Sequence, residues 1–257
     1  MRIGTVEELW RYPVKSMQGA RLPSLELVST GVHDDRGFAL IDRDTGALMS
    51  AKRYSALLLA SAERDDAGAV TITLPDGGQV RSDDPEVDAR LSAWLGREVH
   101  LDTPRAREQV SYEMTFDPPN DDAEMVAIPT PPGTFLDLAG IHLLTSSTLE
   151  GCARVHPELD WDVRRFRPNI VLDADVQPFG EDAWCDGCHL RIGDAVLTPR
   201  HPTVRCAMPL RGQPGLERQA KMYAALEDLH ANHLGIYVDV TQPGTIAEGD
   251  EVQLVDA

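Results

Sequence analysis

Short runs of alternating apolar and polar residues, each closed by a turn dipeptide, constrain this chain more than any other feature. "AVTITLPDGGQVR" sets two such runs about Pro75-Asp76-Gly77-Gly78, and "GFALIDRDTGALMSA" sets two more about Asp44-Thr45-Gly46. Period-two alternation gives each strand one apolar face, and Gly or Asp at the break supplies the backbone freedom that a tight reversal requires. "IGTVEELWRYPV" opens the chain with β-branched and aromatic residues at strand-like intervals, "REVHLD" resumes as strand, and "RPNIVLDA" is an apolar strand in the second half. "DAWCDGCHLRIGDAVLTP" reads as a hairpin with Asp186-Gly187 at its tip, and "LGIYVDVTQPGTIAEGDEVQLVD" as a closing hairpin about Pro243-Gly244. Helical signals are fewer. They are "DPEVDARLSAWLG", the stretch after "IHLLT" with Ser147-x-x-Glu150 as a capping box, and "LERQAKMYAALEDLH". Strands dominate, so the chain is expected to be a β-rich α+β protein with a barrel-like or sandwich-like unit in its first hundred residues.

Residues 103–134 break this pattern. They have little periodicity, six prolines and an acidic cluster, which suits a long connection or a lid. A domain boundary is expected there, dividing the chain into units of residues 1–115 and 116–257. A length of 257 residues accommodates two modest domains, and no internal repeat stands out.

Charge narrows the partners. With 42 acidic residues against 24 basic ones the net charge is −18, so a general nucleic-acid or anionic-membrane surface is disfavoured by long-range repulsion. Any anion must therefore meet a local basic pocket. No apolar run reaches the length of a membrane span, and "MRIGTVEELWRYP" has neither the basic start nor the apolar stretch of a secretory signal. The expected location is the cytoplasm, where the four cysteines stay as thiols.

Two cysteine settings carry chemical possibilities. "CDGCH" at 185–189 has the spacing of a c-type haem attachment, a zinc ligand pair or a redox dithiol. No second axial ligand, export signal or second zinc pair accompanies it, and its Asp-Gly centre suits a turn with Cys185 and Cys188 facing each other. The expectation is a structural pair, with a labile disulfide or a metal site as alternatives. Cys206 in "RHPTVRCAMPLRG" follows Arg205 and has Arg200, His201 and Arg211 nearby; cations favour the thiolate, although a solitary cysteine is also an ordinary packing residue. Basic residues gather at strand ends: Lys15 in "YPVKS", Arg36 in "HDDRGFALI", and Arg164, Arg165 and Arg167 in "RRFRPNIV". They can pair with the many carboxylates or build a phosphate site, since guanidinium forks and an ammonium suit phosphate oxygens.

Taken together, "LWRYPVKSMQGARL", "DDRGFALID", "FRPNIVL", "GEDAW", "LRIGDAVL", "VRCAMP" and "GIYVDVTQPGTIAEGDEV" resemble the MOSC family (molybdenum-cofactor sulfurase C-terminal domain) with its N-terminal β-barrel domain, and within it the amidoxime-reducing proteins. The likeness spans nearly the whole chain. It implies an N-terminal β-barrel-like domain, a C-terminal MOSC β-barrel with a few helices, and a pyranopterin molybdenum cofactor held between the two halves. Cys206 is then the thiolate ligand to molybdenum and the catalytic residue. Lys15, Ser16 and Arg36 are implied at the pterin phosphate, with Arg167 and Asn169 as further cofactor contacts. Asp137, Leu138 and Ala139 are implied to contribute backbone-type contacts, and Val204, Arg205 and Tyr237 complete the implied set.

The implied activity is reduction of small N-hydroxylated compounds, such as amidoximes and hydroxylamines. Electrons would come from a separate flavin, haem or iron–sulfur reductase, because no dinucleotide fingerprint or four-cysteine cluster pattern occurs in this chain. A non-catalytic carrier of cofactor or sulfur is the alternative, since binding residues do not establish turnover. A pyridoxal-phosphate enzyme using Lys15 stands third.

Overall fold

The computed structural model describes residues 1–118, 120 and 123–256. Its first half carries β1 (Arg2–Arg11), β2 (Ala20–Arg21), β3 (Ser24–Val28), β4 (Gly31–Val32), β5 (Ala39–Asp42), β6 (Ser61–Arg64), β7 (Val70–Thr73), β8 (Gln79–Arg81), α1 (Val87–Leu95) and β9 (Val99–Asp102). A hairpin of β10 (Ser111–Met114) and β11 (Val126–Pro129) follows. The second half carries β12 (Ile141–Thr145), α2 (Ser146–Val155), β13 (Ile170–Ala174), β14 (Cys188–Ile192), β15 (Ala195–Val204), α3 (Met222–His230), β16 (His233–Gln242), β17 (Gly244–Ala247) and β18 (Glu251–Asp256). This is a β-rich fold with few helices, as the strand and turn pattern predicts.

Seven strands close into a barrel in the order β13-β12-β16-β15-β14-β18-β1, with β1 pairing back onto β13. Closure satisfies the backbone donors and acceptors that an open sheet would leave at its edges. β1 is the strand that makes it possible. It comes from the first residues of the chain, yet it lies between two strands of the second half, with Leu9 opposite Ile170 and Thr5 opposite Glu251. Irregularities between Arg2 and Gly4 and between Val6 and Glu8 shift its alternation, so Ile3, Val6 and Leu9 all turn inward and Glu8 does not. Inside, Leu143, Leu172, Leu190 and Ile236 are completely buried.

The remaining strands of the first half form smaller sheets, β5 with β9 and β6-β7-β8 in sequence. α1 packs on them through Leu91, in a core that includes Met17, Leu40, Leu57 and Ile72.

Four expectations need correction. Residues 103–134 are not wholly irregular, because Tyr112 opposite Ile128 and Met114 opposite Val126 register the β10–β11 hairpin. The N-cap of α2 is Thr145, whose hydroxyl accepts from the Thr148 amide, and not Ser147 with Glu150; Thr145 and Thr148 also donate to the buried Glu181 carboxylate. The Pro243-Gly244 turn does not make a hairpin: β16 pairs with β12 and β15, β17 with β3, and β18 with β14 and β1. "CDGC" is not a hairpin tip either. Residues Gly180–Cys185 form a 3-10 helix that buries Trp184 and Glu181, and the hairpin turns instead at Gly193-Asp194, with Ile192 opposite Ala195.

Candidate functional site

One cavity of about 390 Å³ opens where the ends of β1, β13 and β15 meet the first-half sheets. Its lining contains all twelve residues that the family resemblance implies, Lys15, Ser16, Arg36, Asp137, Leu138, Ala139, Arg167, Asn169, Val204, Arg205, Cys206 and Tyr237, whereas Arg164, Arg165, Arg200, His201 and Arg211 do not line it. Lys15 and Ser16 follow β1, Arg36 precedes β5, Asp137–Ala139 precede β12, Arg167 and Asn169 precede β13, and Cys206 lies just past β15. Strand ends and loops of a closed barrel converge naturally at one rim, which is why residues so far apart in sequence meet. Four lining residues that are not glycine, Ser16 (φ 67°), Arg36 (φ 51°), Arg167 (φ 55°) and Asn232 (φ 60°), hold left-handed backbone conformations. Such strain survives only where surrounding contacts fix it, and it concentrates at functional sites.

The floor is cationic and incompletely satisfied. Two guanidiniums lie over the buried Tyr12 ring, with Arg36 Cζ 4.6 Å and Arg167 Cζ 4.2 Å from its centroid. Arg36 pairs with Asp35 and reaches the Asn169 amide oxygen at 3.4 Å. Arg167 donates from Nη1 to the Met17 carbonyl at 2.7 Å, while its buried Nη2 has no hydrogen-bond partner. Arg205 donates from Nη2 to the Phe166 carbonyl at 2.8 Å, and its Nε is likewise buried without a partner. Burial, reinforced by the neighbouring Arg36, lowers the pKa of Arg167 to about 10; burial lowers that of Arg205 too. Unpaired buried donors carry a desolvation penalty that a bound anion would remove.

A second cluster stands opposite. Asp137 bridges two buried lysines, taking Lys15 Nζ at 2.6 Å and Lys52 Nζ at 2.9 Å; Lys15 also donates to the Phe135 carbonyl at 2.6 Å. Burial disfavours the Asp137 carboxylate, but the two ammoniums outweigh it and hold its pKa well below the usual range. Burial is the largest influence on Lys15, and with Lys52 and Arg36 nearby it brings the ammonium down to about 8 despite Asp137. Burial is the largest single influence on Lys52 too, but Asp137 leads the opposing contributions that outweigh it and push the ammonium upward. Both ammoniums also lie over the Tyr112 ring, Lys52 at 4.1 Å and Lys15 at 4.9 Å.

Cys206 is a free, half-buried thiol beside this cluster. Asn232 grips the residue before it from both directions: the Arg205 amide donates to the Asn232 carbonyl at 2.8 Å and Asn232 Nδ2 to the Arg205 carbonyl at 2.7 Å. After it, the turn Met208–Leu210 is held by Arg165, a fully buried guanidinium that donates to the carbonyls of Pro209, Arg211 and Glu217 and to Asp160. His142 closes the back wall with Nε2 at 3.2 Å from the Leu234 carbonyl; burial and then Arg205 hold its ring neutral. Gly235 (φ +74°) makes this approach possible, because a Cβ there would lie 2.5 Å from His142 Nε2.

The donor set suits a ligand with an anionic end and a soft metal. Thiolate sulfur is a soft ligand, and the unpaired Arg167 and Arg205 nitrogens and Asn232 Oδ1 supply complementary polar atoms. Cys185 and Cys188 do not line this cavity; Cys185 has its thiol pushed up to about 11 by burial and by Asp182 and Asp186, the reverse of an activated cysteine. Motif reading missed Lys52, Tyr112, His142 and Asn232. Lys52 had a signal: it is one of three lysines among 21 arginines, and two of those three are buried here.

Two family models match the chain, the MOSC N-terminal beta barrel domain over residues 3–111 and the MOSC domain over residues 134–253. Among curated proteins, the chain is 24% identical to mitochondrial amidoxime-reducing component 1 of Mus musculus, covering 99% of this chain and 83% of that one. It is 24% identical to mitochondrial amidoxime reducing component 2 of Bos taurus, covering 80% of this chain and 66% of that one. A solved structure, the YuaD protein from Bacillus subtilis, aligns over 99% of this chain and 96% of its own with a TM-score of 0.45 and 11% identity. With one model on each half of the chain and the cavity between them, the protein belongs to the MOSC family and carries both the MOSC domain and its N-terminal β-barrel partner.

Proposed function

We propose that this cavity binds a pyranopterin molybdenum cofactor and that the protein reduces small N-hydroxylated compounds. The observation that carries this is the gathering of Lys15, Arg36, Arg167, Arg205 and Cys206 on one cavity, with buried guanidinium nitrogens left unpaired. Lys15, Ser16, Arg36 and Arg167 are the residues to hold the phosphate, as charge-assisted donors in a protein whose overall charge repels anions. Asn169, Arg205, Tyr237 and the Asp137–Ala139 segment orient the remainder, and Cys206 Sγ is the metal ligand and catalytic residue, its position fixed by Asn232. When bound, the cofactor supplies the two-electron redox couple, and the protein supplies ligand, orientation and field. The overall change breaks the substrate N–O bond, takes up two electrons and two protons, and releases the N-dehydroxylated product and water.

Electrons come from a separate protein, which fits the word component in the relatives' names. Four free thiols fit a reducing, cytoplasmic setting, and no helix among the described residues is long and apolar enough to cross a membrane. Two domains meeting within residues 103–134, with β1 reaching across, fit the two family matches.

The test is turnover. Protein made in a host that synthesises the cofactor is expected to reduce N-phenylhydroxylamine with a reduced viologen as donor. Molybdenum-loaded protein that consumes no viologen with any hydroxylamine or amidoxime would overturn the reductase reading in favour of a cofactor carrier.

A further inference from the structure

The cavity changes character between floor and opening. The floor is built of charged groups, whereas the opening carries large apolar side chains facing solvent: Phe116 is 74% exposed, Leu138 54% and Val204 51%. These come from three separate segments, the loop after β10, the loop before β12 and the end of β15. Large exposed apolar side chains gathered at one opening mark a surface built to be covered. Met114, Ile128 and Met208 continue the apolar wall inward from this rim. Thioether side chains adapt to varied apolar shapes, which suits a wall meeting more than one ligand outline. By contrast, the exposed Met1, Leu59 and Val155 do not line the cavity.

We propose that the rim of Phe116, Leu138 and Val204 seats the body of the substrate, selecting N-hydroxylated compounds with an aromatic or branched apolar body over small or charged ones. The proposal rests on the reductase reading of this cavity. The occupant follows from continuity: the apolar rim and wall line the same cavity as Cys206 and the cationic floor, so a ligand that covers the rim can place a polar head at the floor. The opening then contributes binding energy from parts of the substrate remote from the N–O bond.

The test is equilibrium binding to the cofactor-loaded protein without an electron donor, under anaerobic conditions, by titration calorimetry. N-phenylhydroxylamine is expected to bind at least about tenfold more tightly than N-methylhydroxylamine, from the extra apolar area covered. In the Phe116→Ser variant that ratio is expected to fall at least about threefold, since the largest apolar side chain of the rim no longer covers the ligand. Phe116 is exposed and has no assigned contact to the cofactor, so molybdenum content and melting temperature are expected to hold. Val155→Ser, exposed but away from the cavity, is expected to keep the wild-type ratio. Equal affinities in the wild type, no measurable binding of the phenyl compound, or an unchanged ratio in Phe116→Ser would each overturn the proposal. Failure of the reductase reading shows separately, as absent turnover once donor is added.

Discussion

Arg165 and Arg167 stand two residues apart and are both buried, yet they live in opposite kinds of environment. Arg165 belongs to the scaffold: three carbonyls and Asp160 accept from it, and through Pro209 and Arg211 it fixes the turn that follows Cys206. Each keeps one buried nitrogen without a partner, Arg165 Nε and Arg167 Nη2, but Arg167 belongs to the cavity: it lines it, rests on the Tyr12 ring and holds a left-handed backbone. The same contrast separates the barrel interior, apolar and closed on itself, from the cavity at its rim, where left-handed backbones and buried cations collect. A fold can carry such a site because its stability resides elsewhere.

That contrast can be broken at several points. Leu143→Ala, in the completely buried barrel interior, is expected to cost about 2–5 kcal/mol in chemical denaturation, with cofactor retention unchanged below the melting transition. Arg165→Met is expected to cost about 1–3 kcal/mol, because several carbonyls lose their donor at once. Arg167→Met is expected to change stability by under about 1 kcal/mol, since it removes a buried cation that is only partly satisfied, while weakening anion retention about tenfold or more. If Arg167→Met unfolds the protein and Arg165→Met empties the cavity without loss of stability, the assignment of scaffold and site is reversed. The smallest effect concerns pH. Lys15 is charged below about 8 and neutral above it, so affinity for inorganic phosphate is expected to fall severalfold as pH rises from about 7 to about 9, in equilibrium binding. Lys15→Met is expected to flatten that profile; a rise in affinity with pH would contradict the sign.

The strands themselves were legible, because alternation and turn dipeptides are local: "AVTITLPDGGQVR" folds as its pattern predicts. Pairing was not. Nothing near Pro243-Gly244 signals that β17 leaves for β3, and nothing in "IGTVEELWRY" signals that β1 closes a barrel made of strands more than a hundred residues away. "DAWCDG" was misread because Asp-Gly suits several turns, and the burial of Trp184 and Glu181 decided for a 3-10 helix. Site residues were legible where they sit in stretches with a family pattern. Lys52, Tyr112, His142 and Asn232 act through three-dimensional neighbours, Asp137, the two ammoniums, and the side chain and backbone of Arg205, and such partners leave no mark at a fixed spacing.

The central claim is that Cys206 ties a molybdenum cofactor into this cavity. It is tested most directly by the molybdenum content of wild type and Cys206→Ser, purified in parallel from a cofactor-synthesising host and matched for melting temperature. The account predicts near-stoichiometric molybdenum in the wild type and its loss from a folded Cys206→Ser. Full molybdenum content in Cys206→Ser, or none in the wild type, would contradict it.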